Sequence, residues 1–543
     1  MNLLALISLT LMGLLFLVTS VSPSFATVGG NNINATLTPN QIAAGGPISP
    51  NYTKALQEAK CAAAQDNAPW FRTVLPTEHF DSGRTDLFAC AQFPGSYTGP
   101  NQVYAYQSTD VYKTPFNMAT RAINEMYVYG GGNGDQKPPG FQTFVARVEL
   151  GSLKEIWRTY LNNANITNDL HISGAVDILA DGSIGSAAEH SLYKINGSTG
   201  AVEAVVALPT GSTPPGDGAF NGFSGWPDGY LVLKSFNRPV GCPLNGYSAA
   251  AFTCPGAPAA GGPSVLSVVD SKTWKVLDWV EGKENSAGRI SATQYHGKDY
   301  AYFAGTSSIY RYVWDGKNIT LDPSWGPVPY LKPGQTAAGA VVLAGDWVIL
   351  SSNGIPTSKV PLSVVAVSQA DASKIFRIDP IPLNPGENSN YYAHLAVDAQ
   401  NNRIYTMDAG AHKAAGVNFN PKTGNMTVAW VEPQWSQNYI TLLGPIDKRV
   451  FVNTNISSSV TQNATKLDSG PEGANYVEQI LWRDANTGKL LAASDFFPPS
   501  NPAGNVPVGY GGLLYNMLNN GHIMTLQVLP KLTSSNSTTT TTS

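Results

Sequence analysis

Apolar and polar positions alternate in short runs along most of this chain, and the runs come in fours. Between Ser173 and Pro209 the stretch SGAVDILA meets a polar turn at Asp181-Gly182, SIGSAA follows, and HSLYKIN and AVEAVVALP then flank the turn GSTG. Period-two alternation broken by Asp-Gly and Thr-Gly turns is the pattern of antiparallel hairpins, so this stretch reads as one four-stranded sheet. First strands of the same kind start near residues 173, 221, 291, 338, 393, 440 and 511, at intervals of 48, 70, 47, 55, 47 and 71 residues. Each meets its turn soon after, at Asp228-Gly229, His296-Gly297, Gly345-Asp346, Gln400-Asn401, Asp447-Lys448 and Asn520-Gly521. Repeats of that length made of four short strands predict the blades of a propeller, with two long insertions.

A weaker copy precedes these, with inner strands around Met118 to Tyr129 and the hairpin FVARVELGSLKEIWRTYL. The last pair, GGLLYNML and HIMTLQVLP, has no outer hairpin after it. A closed ring leaves no blade edge unpaired, so strands between Asp86 and Tyr112, such as VYAYQST, are expected to complete that blade. Inner pairs count eight blades and complete hairpins seven. We take the fold as all-β, a single propeller of eight blades with seven as the alternative, closed by N- and C-terminal strands.

Four segments follow: a targeting segment over residues 1–26, an arm over 27–84 with a short helix around Tyr52 to Ala64, the propeller over 85–530, and a Ser/Thr-rich tail over 531–543. The tail is too polar to fold and lacks the hydrophobic end of a GPI signal. Leu3 to Val21 is almost wholly apolar and ends in Ser24-Phe25-Ala26, the small-residue pattern of a signal peptidase site. No basic residue precedes it, and its length also suits a retained membrane anchor. Either way the sequence predicts a secreted or cell-surface protein.

Composition narrows the partners. Charged residues make up only 13% of the 543, against about a quarter in ordinary soluble domains, and the net charge is −4. With no Lys/Arg run, nucleic acid is excluded as a partner, because its affinity is largely phosphate neutralisation. A small ligand, a glycan or a protein remains. The four cysteines fit an oxidising compartment: Cys242 with Cys254 inside one insertion, and Cys61 with Cys90 tying the arm to the first propeller strand, is the pairing we favour of the three available. None has zinc-site spacing. Nine Asn-x-Ser/Thr sequons occur, at Asn34, Asn51, Asn165, Asn196, Asn318, Asn425, Asn455, Asn463 and Asn536. Of these, Asn196, Asn318 and Asn425 fall at outer-hairpin turns, on the rim where a glycan is accessible.

The segment Ile480-Leu-Trp-Arg-Asp-Ala-Asn-Thr-Gly-Lys-Leu-Leu491 resembles the repeat of PQQ-like, quinoprotein-type propellers, whose outer hairpins carry an Asp-Ala-x-Thr-Gly-Lys turn. Looser versions are Val269-Asp-Ser-Lys-Thr-Trp-Lys-Val276 and Asn420-Pro-Lys-Thr-Gly-Asn425. The motif is structural, a tight turn with positive φ at Gly, and it covers the propeller. In quinoprotein dehydrogenases a Ca²⁺ held by acidic and amide oxygens polarises PQQ beside a basic Asp; the residues here match no motif for those roles, and no adjacent cysteines are present. The resemblance thus implies a fold, with calcium or PQQ as cofactors only through the family.

Ligands of propellers bind where the inner strands converge. The residues opening those strands are His171, Ser173, Asn221, Arg289, Ser291, Tyr392, His394, Tyr439 and Tyr510, a set suited to an anionic or sugar-like ligand. Each has a structural alternative: His171 and His394 can satisfy neighbouring carbonyls, and Arg289 can pair with Glu284 or Asp408. Asp408-Ala-Gly-Ala-His412 puts a carboxylate and an imidazole on one loop, a spacing that suits metal binding or general-base work, and Glu189-His190 does the same. No nucleophile elbow, Walker loop, dinucleotide fingerprint or His-Glu-x-x-His motif is present. Trp157, Trp274, Trp314, Trp430 and Trp482 recur near outer strands, where they are expected to wedge blades together. Three readings follow: a binding propeller that uses its channel face, an enzyme (a quinoprotein-like oxidoreductase or a metal-dependent lyase or lactonase), and a structural component of the cell envelope.

Overall fold

The computed structural model describes residues 47–131, 142–161, 170, 174–240, 261–286, 288–354, 357–457, 477–500 and 504–531. Eight antiparallel sheets form an eight-bladed propeller. Seven are consecutive in sequence, from the blade Pro115–Ala122, Glu125–Gly130, Phe144–Val148 and Glu155–Tyr160 to the blade Thr441–Leu443, Val450–Ile456, Glu478–Asp484 and Leu490–Ala493. Buried Val, Ile, Leu and Ala on the inner three strands of each blade make the cores between sheets, whereas outermost strands such as Val202–Ala207 alternate exposed and half-buried positions. In these seven blades the strand pattern read from the sequence is the observed one.

Closure is by the two ends of the chain. Asn101–Gln107 pairs antiparallel with Ile523–Pro530, with Val103 opposite Val528, so the N-terminal strand supplies the outer edge that the last blade lacked. One assignment is corrected. The strand beginning near Gly511 is the second of its blade, and the innermost position is held by Val506 to Val508, which bridge to Leu514 and Tyr515 and accept a hydrogen bond from Thr441 of the neighbouring inner strand. Asn520-Gly521 therefore joins the second and third strands. The prolines in NPAGNVPVGY hid an inner strand, because Pro507 cannot donate to a ladder.

Neighbouring blades are locked by indole N–H groups that cross from one blade to a carbonyl of an adjacent one: Trp226 to Tyr300 (3.0 Å), Trp274 to Leu192 of the preceding blade (3.2 Å), Trp325 to Ser368 (2.8 Å), Trp347 to Pro421 (3.0 Å) and Trp430 to Ala485 (2.9 Å). Of the tryptophans expected to wedge blades, Trp274 and Trp430 do so by these bonds, and Trp314 stacks on Trp226. The Thr-Gly turns are part of this lock. Gly424 and Gly488 sit at φ +72° and +74°, and a Cβ there would run into Phe376 and Trp430 of the preceding blade.

The arm does more than lie against the propeller. Its helix α1 (Tyr52–Ala64), N-capped by Asn51, packs on the turn Tyr510–Gly512 that joins the first two strands of the closing blade. The Cys61–Cys90 disulfide then joins the helix to the end of the segment that follows it. That segment runs along the inside of the ring. Phe71 N–H bonds to Ile178, Thr120 to Leu75, Ala292 to Ser82, Leu343 to Gly83, Val397 to Thr85, Leu442 to Asp86 and Gly444 to Ala91. Leu87–Phe88 adds a short parallel strand inside Thr441–Leu443. Residues 70–91 thus line the inner strands and fill the bore.

Candidate functional site

The inner strands bring a charged cluster together on the axis, and the arm supplies half of it. Glu78 is its hub. The carboxylate accepts from the Arg289 guanidinium and from Asn117 Nδ2 (3.2 Å), and lies 2.9 Å from His79 Nε2 and 4.0 Å from Arg84 Nη1. Burial by itself would push this acid up; the charges of Arg289, His79 and Arg84 overcome that and hold its pKa at about 2. Arg289 Nη2 also donates to the Gly174 carbonyl (3.2 Å), and Arg84 Nε donates to that of Ile290 (2.8 Å).

His79 continues the chain of contacts. Its Nδ1 is 2.8 Å from Asp86 Oδ1, and His394 Nδ1 is 3.4 Å from Asp86 Oδ2 while bonding to the Leu395 carbonyl at 2.8 Å. Tyr439 packs against both imidazoles, at 4.5 and 4.7 Å between centroids. Burial opposes charge on His79, but Asp86 and Glu78 outweigh it and raise its pKa, whereas burial and the neighbouring His79 hold His394 well below its ordinary value. Burial lifts Asp86 to about 6 and Asp177 to about 7, and lowers Lys234, whose ammonium nitrogen donates to the Ser235 and Ser286 carbonyls. Positive and negative groups nearly cancel, as a buried cluster requires.

Against the sequence expectations, Arg289, Tyr392, His394 and Tyr439 do converge near the axis, around residues of the arm. Arg289 pairs with Glu78 rather than Glu284 or Asp408: Glu284 instead accepts from Thr306 and Ser307. Asp408 and His412 do not work as a pair. The Asp408 carboxylate is filled by Ser389 Oγ (2.6 Å) and the N–H groups of Asn390, Gly410 and Ala411, with burial lifting its pKa to about 6, and His412 stacks on Trp435, 4.0 Å between centroids. Of the other strand-opening residues, Ser291 bonds to the Val341 carbonyl, Tyr510 bonds to Thr73 of the arm, and Asn221 is buried. His190 bonds to the Pro215 carbonyl. His171, Ser173, Cys242 and Cys254 lie outside the described residues, as do the sequons Asn34, Asn165, Asn463 and Asn536. Asn318 and Asn425 are exposed and Asn196 partly so.

Glu78, His79 and Asp86 were not singled out from the sequence. The available signal was local density: Glu78, His79, Asp81, Arg84 and Asp86 fall within nine residues of a chain that is only 13% charged.

No protein-family model and no curated protein matches the sequence. Solved structures do match in fold. A quinohemoprotein alcohol dehydrogenase from Comamonas testosteroni superposes with a TM-score of 0.53 at 11% identity, over 89% of this chain and 86% of that one. A quinohemoprotein alcohol dehydrogenase from Pseudomonas putida HK5 gives 0.50 at 10% identity, over 92% and 83%. The resemblance to PQQ-type propellers is therefore one of fold.

The cofactor associated with that fold does not fit the axis described here. A fused-ring quinone needs a slot of some hundreds of Å³. Among the described residues, the axial cavity lined by Thr77, Glu78, Arg84, Asp177, Phe223 and Arg289 measures about 10 Å³, room for one water. The Glu78 carboxylate, an oxygen ligand a calcium ion would need, is committed to Arg289 and Asn117.

Proposed function

We propose that this protein is an exported, glycosylated binding propeller that presents its channel face to a partner or small ligand. The observation that carries the reading is the filled bore: Glu78 and Arg289 meet on the axis, with the half-buried Tyr392 and Tyr439 beside them as aromatic groups a ligand could stack on. Export is supported by the apolar leader with its small-residue end and by the Cys61–Cys90 disulfide, and glycosylation by the exposed sequons at Asn318 and Asn425.

The runner-up, a quinoprotein-like oxidoreductase, rests on fold alone, and fold hosts many functions. The two separate in one experiment. The full chain is mixed with PQQ and Ca²⁺, assayed for quinone absorbance after gel filtration and for dye-linked alcohol oxidation, and in parallel applied to a glycan array. The binding reading expects no retained quinone and no oxidation, and array binding that weakens in Tyr392→Ala. Retained quinone with turnover would replace it by the oxidoreductase. A purified protein that carries no N-glycan at Asn318 or Asn425 by mass spectrometry would remove the glycosylated half of the proposal.

A further inference from the structure

We propose that His79, Asp86 and His394 form a transition-metal site on the propeller axis, suited to an ion of the Zn²⁺ class. One ligand atom from each of the three lies within 4.8 Å of the others, and all three side chains are at most 1% exposed. Ligands of a tetrahedral zinc stand about 3.3 Å apart, given bonds of about 2.0–2.1 Å, so the existing 2.8 Å contact between His79 Nδ1 and Asp86 needs only a small adjustment to admit an ion.

Two further features point to a ligand. Among the described residues, buried Asp86 Oδ2 and His394 Nε2 have no hydrogen-bond partner, a state that native interiors rarely leave unexplained. In addition, His394 Nδ1 donates to the Leu395 carbonyl, which fixes the tautomer with its lone pair on Nε2, and the Glu78 carboxylate beside His79 Nε2 can keep that N–H when an ion displaces the proton His79 Nδ1 shares with Asp86. An imidazole oriented by a carbonyl and another by a carboxylate is the outer shell that metal-binding histidines use. Glu78 is itself fixed by Arg289 and Asn117.

Charge and ligand type select the ion. Asp86 cancels one charge of a dication, and Glu78 on the far side of His79 offsets part of the other, with Arg84 and Arg289 already engaged by Glu78 and carbonyls. Two nitrogens and one carboxylate suit zinc, cobalt or nickel, whereas calcium and magnesium require six or more oxygens. Three protein ligands leave a fourth position for water or a small ligand. This inference is independent of the binding role proposed above.

The test uses the full chain, stripped with a chelator and titrated with Co²⁺ alone, then with Zn²⁺ in competition. One equivalent of Co²⁺ with the ligand-field absorption of a four- or five-coordinate ion, displaced by Zn²⁺, is expected. His394→Gln should weaken binding by more than about 100-fold, beyond the 10- to 100-fold typical of outer-shell losses, and His296→Gln, at an exposed position, should not. X-ray absorption of the wild-type Zn²⁺ complex gives a readout that needs no variant to fold: a shell of two imidazoles and one carboxylate is expected. Absence of stoichiometric uptake, unchanged affinity in His394→Gln, or a shell of oxygens only would each overturn the site.

Discussion

At the rim, blades are joined by neutral groups repeated from blade to blade: an indole N–H on a carbonyl, an aromatic ring over a Thr-Gly turn. At the axis, the joint is ionic and occurs once, with the arm placing Glu78, His79, Arg84 and Asp86 among Arg289, His394 and Tyr439. The difference teaches where specificity in this fold is held. Rim contacts are local, interchangeable and individually modest. The axial contacts are non-local and interdependent, because each charge there is tolerable only while its partner is present.

The largest expected contrast is in pH dependence. Burial raises Glu58, Asp177 and Glu478 to about 7 from ordinary values of 4.5, 3.8 and 4.5. Their folded forms keep a proton that the unfolded chain has released, so stability is full below about 4 and falls as pH rises toward and through 7. Glu78 acts in the opposite sense: held at about 2, it contributes above 4.5 and is lost as pH falls through 2. His394 and Lys234, held below their ordinary values, add stability as pH rises and offset part of this, but the raised acids outnumber them between pH 5 and 7. Melting temperature should therefore fall from pH 5 to 7, and Asp177→Asn should flatten that fall; an unchanged slope in Asp177→Asn would mean that this carboxyl is not desolvated.

Next comes the axial ion pair. Glu78→Gln leaves Arg289 buried without its counter-charge and should cost about 3–5 kcal/mol in urea denaturation, with much of this recovered in Glu78→Leu/Arg289→Met. A loss below about 1 kcal/mol would make the axis no different from the rim. Removing the Cys61–Cys90 disulfide, which closes a loop of 29 residues, should cost about 3–4 kcal/mol by chain entropy and expose the arm to protease. The smallest effect belongs to the rim: Trp430→Phe keeps the ring but not the N–H to Ala485, and should cost about 1 kcal/mol.

The same contrast explains what could be read from the sequence. Blade number, the closing role of the strand around Val103, and the turn glycines were legible because each blade repeats a local alternation with a local turn. Arg289, His394 and Tyr439 were legible as axial residues because strand starts in a ring must converge. Their partners were not, since Glu78 and Arg289 are 211 positions apart and no local pattern links them. The arm lacks periodicity because its backbone bonds go to six different inner strands rather than to one neighbour. The Val506 to Val508 strand was missed for a related reason, its prolines.

Amide hydrogen exchange over residues 73–88 tests the central claim most directly. If the arm is a built-in part of the bore, the amides of Asp86 and its neighbours, and those of Leu343, Val397 and Leu442 that bond to it, should exchange as slowly as the inner strands. Exchange of that segment at the rate of exposed loops, with the inner strands still protected, would show an open channel and contradict the account.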